Sequence, residues 1–216
     1  MNPVCTALLV IDMQRDFFDP GGYAAQTGLD IEALRRRIPA IQDLLAAARR
    51  LGMLVVHTRE GHRPDLSDCP PAKRERSRAA GAEIGSAGPL GRLLVRGEFG
   101  HDFIDELRPL PSEPVVDKPG YGAFHQTDLA HILQNRGISN LVLSGVTTEV
   151  CVHSTLREAV DRGYRCVLAS DACGSAHPQL HEAALQMVAV EGGVFGRVAA
   201  SAALIAELDN RQRAAT

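Results

Sequence analysis

The sequence predicts one α/β domain, residues 1–216, with a doubly wound and mostly parallel central sheet. Short apolar runs that match buried strands alternate along the chain with segments whose apolar residues recur at helical spacing. Strands that alternate with helices in this way are typical of a parallel sheet with helices on both faces. No internal repeat or linker interrupts the pattern, and 216 residues suit one large domain.

Five runs are predicted to be the strands. Residues 7–11 are apolar without interruption, which is typical of a strand that is buried on both faces. The other predicted strands are residues 53–57, 114–117, 141–144 and 166–169. Parallel strands end at one common edge of the sheet, and that edge is where such sheets bind their ligands.

Five helices are predicted between and after these strands. One helix has Cys151 in its first turn, where backbone N–H groups and the helix dipole favour a thiolate. It ends at residues 161–163, which include a glycine. The other predicted helices are residues 31–51, 129–136, 181–190 and 199–208.

The segment 58–91 shows little apolar periodicity and is too long for an ordinary connection. It could be a functional loop or a disordered insertion, and its position after a strand end favours a flap over an active site. Arg74, Arg76 and Arg78 in this segment could contribute to that flap or form a solvent-exposed charged face.

The composition limits the possible function. A hydrophobic content of 45% and a charged content of 23% are those of an ordinary globular protein, and the net charge of −3 argues against a nucleic-acid-binding surface. The N-terminus lacks a basic leader, and no apolar run is long enough to span a membrane. Five cysteines without CxxC spacing fit neither a disulfide framework nor a zinc knuckle, so a cytoplasmic location is expected.

Asp12, Lys118 and Cys151 each follow or end a predicted strand, so they can meet at the common sheet edge. Each one alone could be structural, as a small buried hydrophobe, a cap or an ion-pair member. Together they suit nucleophilic catalysis. Asp12 can take the thiol proton as general base, while Lys118 keeps Asp12 ionised and lowers the thiol pKa. The N–H groups of Thr147 and Cys151 are candidate oxyanion donors. Cys5, Cys69 and Cys166 lack such company and are assigned structural roles.

Three sequence blocks around these residues resemble the signature blocks of the isochorismatase-like cysteine hydrolases. They are residues 9–17 (LVIDMQRDF), 117–124 (DKPGYGAF) and 144–152 (SGVTTEVCV). The resemblance implies a three-layer Rossmann-like fold, an Asp12–Lys118–Cys151 triad and hydrolysis of a C–N bond. It also implies a non-proline cis peptide between Val146 and Thr147, which would aim the Thr147 N–H at the oxyanion, and assembly into a dimer or tetramer.

Residues 56–66, 162–164 and 192–196 further resemble biuret hydrolase and related ureide hydrolases. The resemblance implies that Phe17, Glu60, Tyr121 and Glu191 bind substrate. Two of these depart from biuret hydrolase, because Glu191 replaces a glutamine and Tyr121 replaces a lysine. An ionised glutamate only accepts hydrogen bonds, and tyrosine in place of lysine removes a cation from the pocket. Both changes favour a longer neutral ureide such as triuret over biuret. The alternatives are another small amide such as ureidoacrylate or an N-carbamoyl amine, and a catalytically silent binding protein.

No metal or cofactor is expected. His57, His62 and Asp65 lie where nicotinamidases of the same superfamily carry a metal site, but their spacing does not reproduce it. No G-x-G-x-x-G follows the first strand, so a dinucleotide is not expected. Activity should therefore survive prolonged treatment with EDTA.

Overall fold

The computed structural model of the chain describes residues 1–214, and a six-stranded sheet lies at its centre. The strands of this sheet are β1 Thr6–Ile11, β2 Leu54–Glu60, β5 Val115–Lys118, β6 Asn140–Val146, β7 Arg165–Gly174 and β8 Arg197–Ala199. A separate antiparallel hairpin consists of β3 Ala87–Gly88 and β4 Gly91–Arg92. The order across the sheet is β5-β2-β1-β6-β7-β8, and every neighbouring pair is parallel.

Helices connect the strands. They are α1 Arg15–Phe18, α2 Tyr23–Gln26, α3 Ile31–Arg35, α4 Ile38–Arg50, α5 Pro71–Ala79, α6 Leu129–Asn135, α7 His153–Asp161, α8 Pro178–Gly193 and α9 Ser201–Arg213. Short 3₁₀ helices cover Pro3–Cys5 and Asp105–Leu107, and a π-helical turn covers Thr148–Val152.

The helices form a layer on each face of the sheet. Leu8 and Val10 of β1 pack in one core cluster with residues of α3, α4 and α9, whereas Leu9 and Ile11 pack in a second cluster with residues of α6, α7 and α8. Successive side chains of a strand point to opposite faces, so an uninterrupted apolar strand feeds both cores. The predicted three-layer α/β fold is confirmed.

The predicted helix over residues 31–51 is in fact two helices. The α3 helix ends at Arg35 and α4 begins at Ile38, with Pro39 in its first turn. Proline has no N–H, and its ring clashes with the carbonyl four residues earlier, here that of Arg35. One continuous helix is therefore excluded, and α4 starts afresh around its proline.

Other boundaries also differ from the prediction. The sixth strand, β8, has only three residues and was missed because so short a run carries no periodic signal. Strands β2 and β7 run further than predicted, to Glu60 and Gly174, and α9 continues to Arg213. The α8 helix spans Pro178–Gly193 but contains three non-helical residues at 190–192.

The segment 58–91 is ordered, so a disordered insertion is the wrong interpretation. It begins with the end of β2, contains α5 and ends within the β3–β4 hairpin. On α5, Arg74 and Arg78 pair with Glu83, and Arg76 is exposed, as expected of a solvent-facing charged surface. The opposite face of α5 buries Lys73. Within residues 1–214, none of the helices has the length and apolar character needed to cross a bilayer.

Candidate active site

The site lies at the carboxyl edge of the sheet, at the point where the strand order changes direction. Strands β2 and β5 lie on one side of β1, and β6, β7 and β8 lie on the other. Asp12 follows β1 directly, and the π-helical turn with Cys151 follows β6. Ligands of open parallel sheets bind at such a switch point.

Strands β1 and β6 approach closely at this edge. Gly145 has φ +115°, and a Cβ at this position would lie 2.1 Å from the carbonyl oxygen of Ile11. Only glycine fits there. Asp12, the first residue after β1, has φ +55°, a left-handed conformation that aspartate tolerates better than most residues. The chain therefore turns sharply beside the strand that leads to Cys151.

Lys118 and Asp12 form a fully buried ion pair. The Nζ of Lys118 lies 2.7 Å from Oδ2 of Asp12, and both side chains have zero exposure. The hydroxyl of Thr58 donates a hydrogen bond of 2.6 Å to Oδ1 of Asp12. Lys118 also donates to the carbonyl oxygen of Gly120 at 3.1 Å. The two predicted triad residues from β1 and β5 therefore meet.

Glu60, at the end of β2, lies between Lys118 and Cys151. It is in register with Lys118 on the neighbouring strand, and the Lys118 Nζ is 3.5 Å from Glu60 Oε2. The Cys151 thiol donates to the same oxygen at 3.2 Å. One polar atom each from Asp12, Glu60 and Cys151 lie within 4.8 Å of one another. The structure thus brings the three predicted residues together and adds Glu60, predicted only as a substrate contact, as the thiol's direct partner.

Two further residues of this cluster were not predicted. Lys73 reaches in from α5, with its Nζ 2.6 Å from Oε1 of Glu60. Gln14 fixes the backbone of Glu60, because its amide donates to the Glu60 carbonyl oxygen and accepts from the Glu60 N–H. The sequence offered no signal that separates Lys73 from the arginines beside it, whereas Gln14 lies inside the recognised block 9–17.

The thiol is not activated in the resting protein. Burial raises the pKa of Cys151, and the carboxylates of Glu60 and Asp12 add to this effect, against the lowering influence of Lys118. Lys118 lowers the thiol pKa as predicted, but burial and the two carboxylates outweigh it, so the predicted thiolate is not favoured in the resting site. Cys151 rests as a thiol and needs a base.

The two carboxylates differ in acidity. Burial raises the pKa of Asp12, and the nearby Lys118 does not fully offset it. Burial also opposes ionisation of Glu60, but Lys73 and Lys118 outweigh it and lower the pKa of Glu60 to about 2. Burial likewise opposes the charge on Lys118, yet the neighbouring acidic groups, with the Asp12 carboxylate first among them, raise its pKa. Two carboxyl groups whose pKa values are shifted in opposite directions suit different roles, and Asp12 is the one suited to carry the proton.

Cys151 lies in the π-helical turn rather than in the first turn of α7. The carbonyl oxygen of Thr147 accepts from the N–H groups of Val150 and Val152, which closes the turn. The peptide bond between Val146 and Thr147 is cis. The Thr148 side chain is hydrogen-bonded to Nδ1 of His181 on α8 at 2.9 Å. Thr147 and Cys151 remain the predicted oxyanion donors.

A cavity of ≈ 540 Å³ opens next to Cys151. Its wall is mostly apolar, and the side chains of Glu60 and Glu149 are its carboxylates. The lining residues are Phe17, Tyr23, Thr27, Leu29, Glu60, Ala80, Leu94, Tyr121, Thr147, Glu149, Val150, Cys151, His177 and Leu180. Among these, which all belong to the described part of the chain, there is no lysine or arginine.

Of the predicted substrate contacts, Phe17, Glu60 and Tyr121 line this cavity, and Glu191 does not. Glu191 is exposed and has φ +52° within the non-helical break of α8. Within the described part of the chain, Glu191 does not line this cavity, and its contact with substrate stays a prediction.

His57 and His62, which lie where related nicotinamidases carry a metal site, have separate partners in this structure. His57 pairs with Glu113, and His62 pairs with Asp68. Asp65 accepts from the N–H and hydroxyl of Ser67. Across residues 1–214, the group of potential metal ligands that converges is Asp12, Glu60 and Cys151, where Lys118 and Lys73 already neutralise the carboxylates.

Comparison with known proteins decides the family. The isochorismatase domain family matches residues 6–203 of the chain. The chain belongs to the isochorismatase family. The predicted resemblance to the isochorismatase-like cysteine hydrolases is confirmed, and so is the prediction of a hydrolase, whereas the likeness to biuret hydrolase stays a prediction.

Solved structures agree with this assignment to the isochorismatase family. A cysteine hydrolase from Pseudomonas syringae pv. phaseolicola is 28% identical with a TM-score of 0.83, covering 98% of this chain and 95% of its own. An isochorismatase family protein from Desulfovibrio vulgaris is 31% identical, with a TM-score of 0.79 and coverage of 95% and 98%. N-carbamoylsarcosine amidase from Thermoplasma acidophilum is 25% identical, with a TM-score of 0.69 and coverage of 93% and 97%.

Proposed function

We propose that this isochorismatase-family protein is an amidohydrolase that cleaves a terminal C–N bond of a small neutral amide. Linear ureides such as triuret or biuret are the substrates we favour. Ammonia is released, and the acyl group is held on Cys151. The observation that carries the proposal is a buried thiol, within 4.8 Å of two carboxylates and next to a lysine, that faces a cavity of ligand size.

Acylation needs one proton carrier. Asp12 takes the thiol proton while Sγ of Cys151 attacks the substrate carbonyl carbon, so that an S–C bond forms. Collapse of the intermediate breaks the C–N bond, and Asp12 returns the proton to the leaving nitrogen, which departs as ammonia. Lys118 stays protonated throughout and compensates the charge that moves through Asp12. The N–H groups of Thr147 and Cys151 are the proposed donors to the oxyanion.

In deacylation, water replaces the thiol as the nucleophile and as the source of the proton that Asp12 accepts. Water attacks the acyl carbon, and Asp12 accepts a proton from it. The S–C bond then breaks, the proton returns to Sγ, and the acid product leaves. Glu60 stays anionic in both steps because its pKa is about 2.

The wall of the cavity supports a neutral substrate that is rich in N–H groups. Glu60 and Glu149 only accept hydrogen bonds when ionised, and a substrate carboxylate would meet no lysine or arginine among the lining residues. The preference for a neutral ureide, which Glu191 first suggested, therefore rests on these two carboxylates instead.

A second candidate is an amide that carries a carboxylate, such as an N-carbamoyl amine or ureidoacrylate. It is favoured by the similarity to a protein named N-carbamoylsarcosine amidase. The absence of lysine and arginine from the cavity lining, as described above, argues against it, because a buried substrate carboxylate would have no cation in that lining to pair with.

Ammonia release from a panel of amides tests the proposal. The panel contains triuret, biuret, ureidoacrylate, N-carbamoylsarcosine and a simple aliphatic carboxamide, each given to the wild-type protein and to Cys151→Ala. We expect the neutral ureides to be turned over best, and only by the protein that retains Cys151. Preference for the carboxylate substrates would overturn the proposed substrate class, and equal release by Cys151→Ala would overturn the proposed chemistry.

A further inference from the structure

We propose that Lys73 is a positioning residue that holds the Glu60 carboxylate beside the Cys151 thiol and thereby makes α5 a part of the active site. The inference rests on the proposed function for its meaning in catalysis. Its geometry does not depend on any particular substrate.

Lys73 has the surroundings of a functional side chain. It is 4% exposed, although Arg76 and Arg78 on the same helix are exposed and Arg74 is partly exposed. Its Nζ lies 2.6 Å from Oε1 of Glu60, donates to the carbonyl oxygen of Pro119 at 2.7 Å, and lies 4.8 Å from the centre of the Tyr121 ring. These contacts hold one ammonium group from several sides, so its position is well defined.

Glu60 uses its two oxygens separately. Oε1 faces Lys73, whereas Oε2 faces the thiol of Cys151 at 3.2 Å and Lys118 at 3.5 Å. Gln14 fixes only the backbone of Glu60. Lys73 is therefore the group that sets the rotation of the carboxylate and keeps Oε2 turned to the sulfur.

The charges around Glu60 balance only with Lys73 in place. The groups that face it or act on it electrostatically are Asp12, Tyr23, His62, Cys69, Lys73, Lys118 and Cys151. Two ammonium groups offset two carboxylates, with the sulfur neutral as a thiol. Without Lys73 the buried cluster would carry an excess negative charge, which opposes ionisation of every remaining acid.

The chain offers matched controls. Arg78 is a cation on the same helix, but it pairs with Glu83 on the outer surface. Lys73→Arg keeps the positive charge, and Lys73→Met removes it while keeping the alkyl chain. Glu60→Gln combined with Lys73→Met removes both partners, which avoids an unpaired buried charge and preserves a testable folded protein.

The test is the rate at which iodoacetamide alkylates Cys151 at a fixed, mildly alkaline pH, read from the mass of its peptide so that the other four cysteines do not interfere. Without Lys73 the Glu60 carboxylate beside the sulfur is no longer neutralised on its Oε1 side, which should raise the thiol pKa by about one unit, so Lys73→Met should react roughly tenfold more slowly. Lys73→Arg and Arg78→Met should react as the wild type does. In the Glu60→Gln background, Lys73→Met should change the rate by no more than about twofold, because Lys73 acts through Glu60.

An unchanged or increased rate in Lys73→Met would overturn the proposal, and so would an equal effect of Lys73→Met with and without Glu60. Alkylation needs no substrate. If the amide panel gave no ammonia while alkylation followed the expected pattern, the proposed function would fail and the role of Lys73 would stand.

Discussion

The thiol of Cys151 donates a hydrogen bond to Oε2 of Glu60 at 3.2 Å, while Asp12 is paired with Lys118. Glu60, which contacts the sulfur, is thus the more acidic of the two carboxyl groups. Asp12, whose pKa is raised, lies close to the same sulfur. A permanent anion and a proton carrier therefore flank the same sulfur, and substitutions should separate their roles.

Asp12→Asn should abolish most turnover, because an amide cannot carry the proton. We expect kcat to fall by about 10²–10⁴-fold. Glu60→Gln removes an anionic acceptor that lines the cavity, so KM for a neutral ureide should rise by roughly 10-fold or more, as when a charged hydrogen bond is lost. Steady-state kcat and KM for both variants check this division. An Asp12→Asn protein that retained wild-type kcat would contradict it.

The pH profile should report Asp12. Burial raises its pKa, so the active ionised form is lost as the pH falls through a value above the ordinary range of about 3.9 for aspartate. Glu60, with a pKa of about 2, stays ionised across that pH range and does not contribute to the acid limb of the pH profile. We therefore expect the acid limb of kcat/KM to lie above the ordinary carboxyl range. A limb at or below that range would be inconsistent with Asp12 as base.

Glu191→Gln should leave activity unchanged, because Glu191 is exposed and outside the cavity. Surface substitutions of this kind alter energies by less than about 0.5 kcal/mol, roughly a twofold change. Tyr121→Lys is the matched change within the cavity wall. By adding a cation, it should improve kcat/KM for ureidoacrylate relative to biuret. The measurement is the ratio of kcat/KM for ureidoacrylate to that for biuret in both variants. A change of this ratio in Glu191→Gln but not in Tyr121→Lys would mean that Glu191 contacts substrate.

Asp16 should make stability depend on pH. Its side chain accepts from the Leu94 N–H at 2.9 Å, and burial raises its pKa from 3.8 to about 6. Because the unfolded chain ionises more readily, its ionisation favours unfolding as the pH rises between these values. Asp16→Asn lacks this penalty. Relative to the wild type, it should gain up to about 3 kcal/mol in free energy of unfolding between pH 4 and pH 7. Urea denaturation at both pH values measures the gain, and a constant difference would exclude the effect.

The sequence carried the parts of the site that follow strand ends. Asp12, Lys118 and Cys151 stand beside apolar runs and turns, so local pattern and the rule of a common edge place them together. Lys73 could not be found this way, because its burial depends on how α5 docks onto Glu60, a contact between distant segments. Glu191 was assigned to the site by resemblance alone, and in the structure it is exposed at the non-helical break of α8, outside the cavity.

Short or interrupted elements escaped prediction for related reasons. Three residues suffice for β8 only because β7 is already there to pair with it. The break between α3 and α4 depends on Pro39, which interrupts an otherwise continuous helical pattern. The thiol's raised pKa follows from complete burial beside two carboxylates, which no spacing along the chain reveals.

The most direct test of the account is mass spectrometry of the protein quenched during turnover of the best substrate in the panel, with ammonia measured in the same samples. We expect an acyl adduct on the peptide that contains Cys151, and a loss of at least about 10⁴-fold in ammonia release with Cys151→Ala. Ammonia release by Cys151→Ala within tenfold of the wild-type rate, or an adduct on another residue, would contradict it.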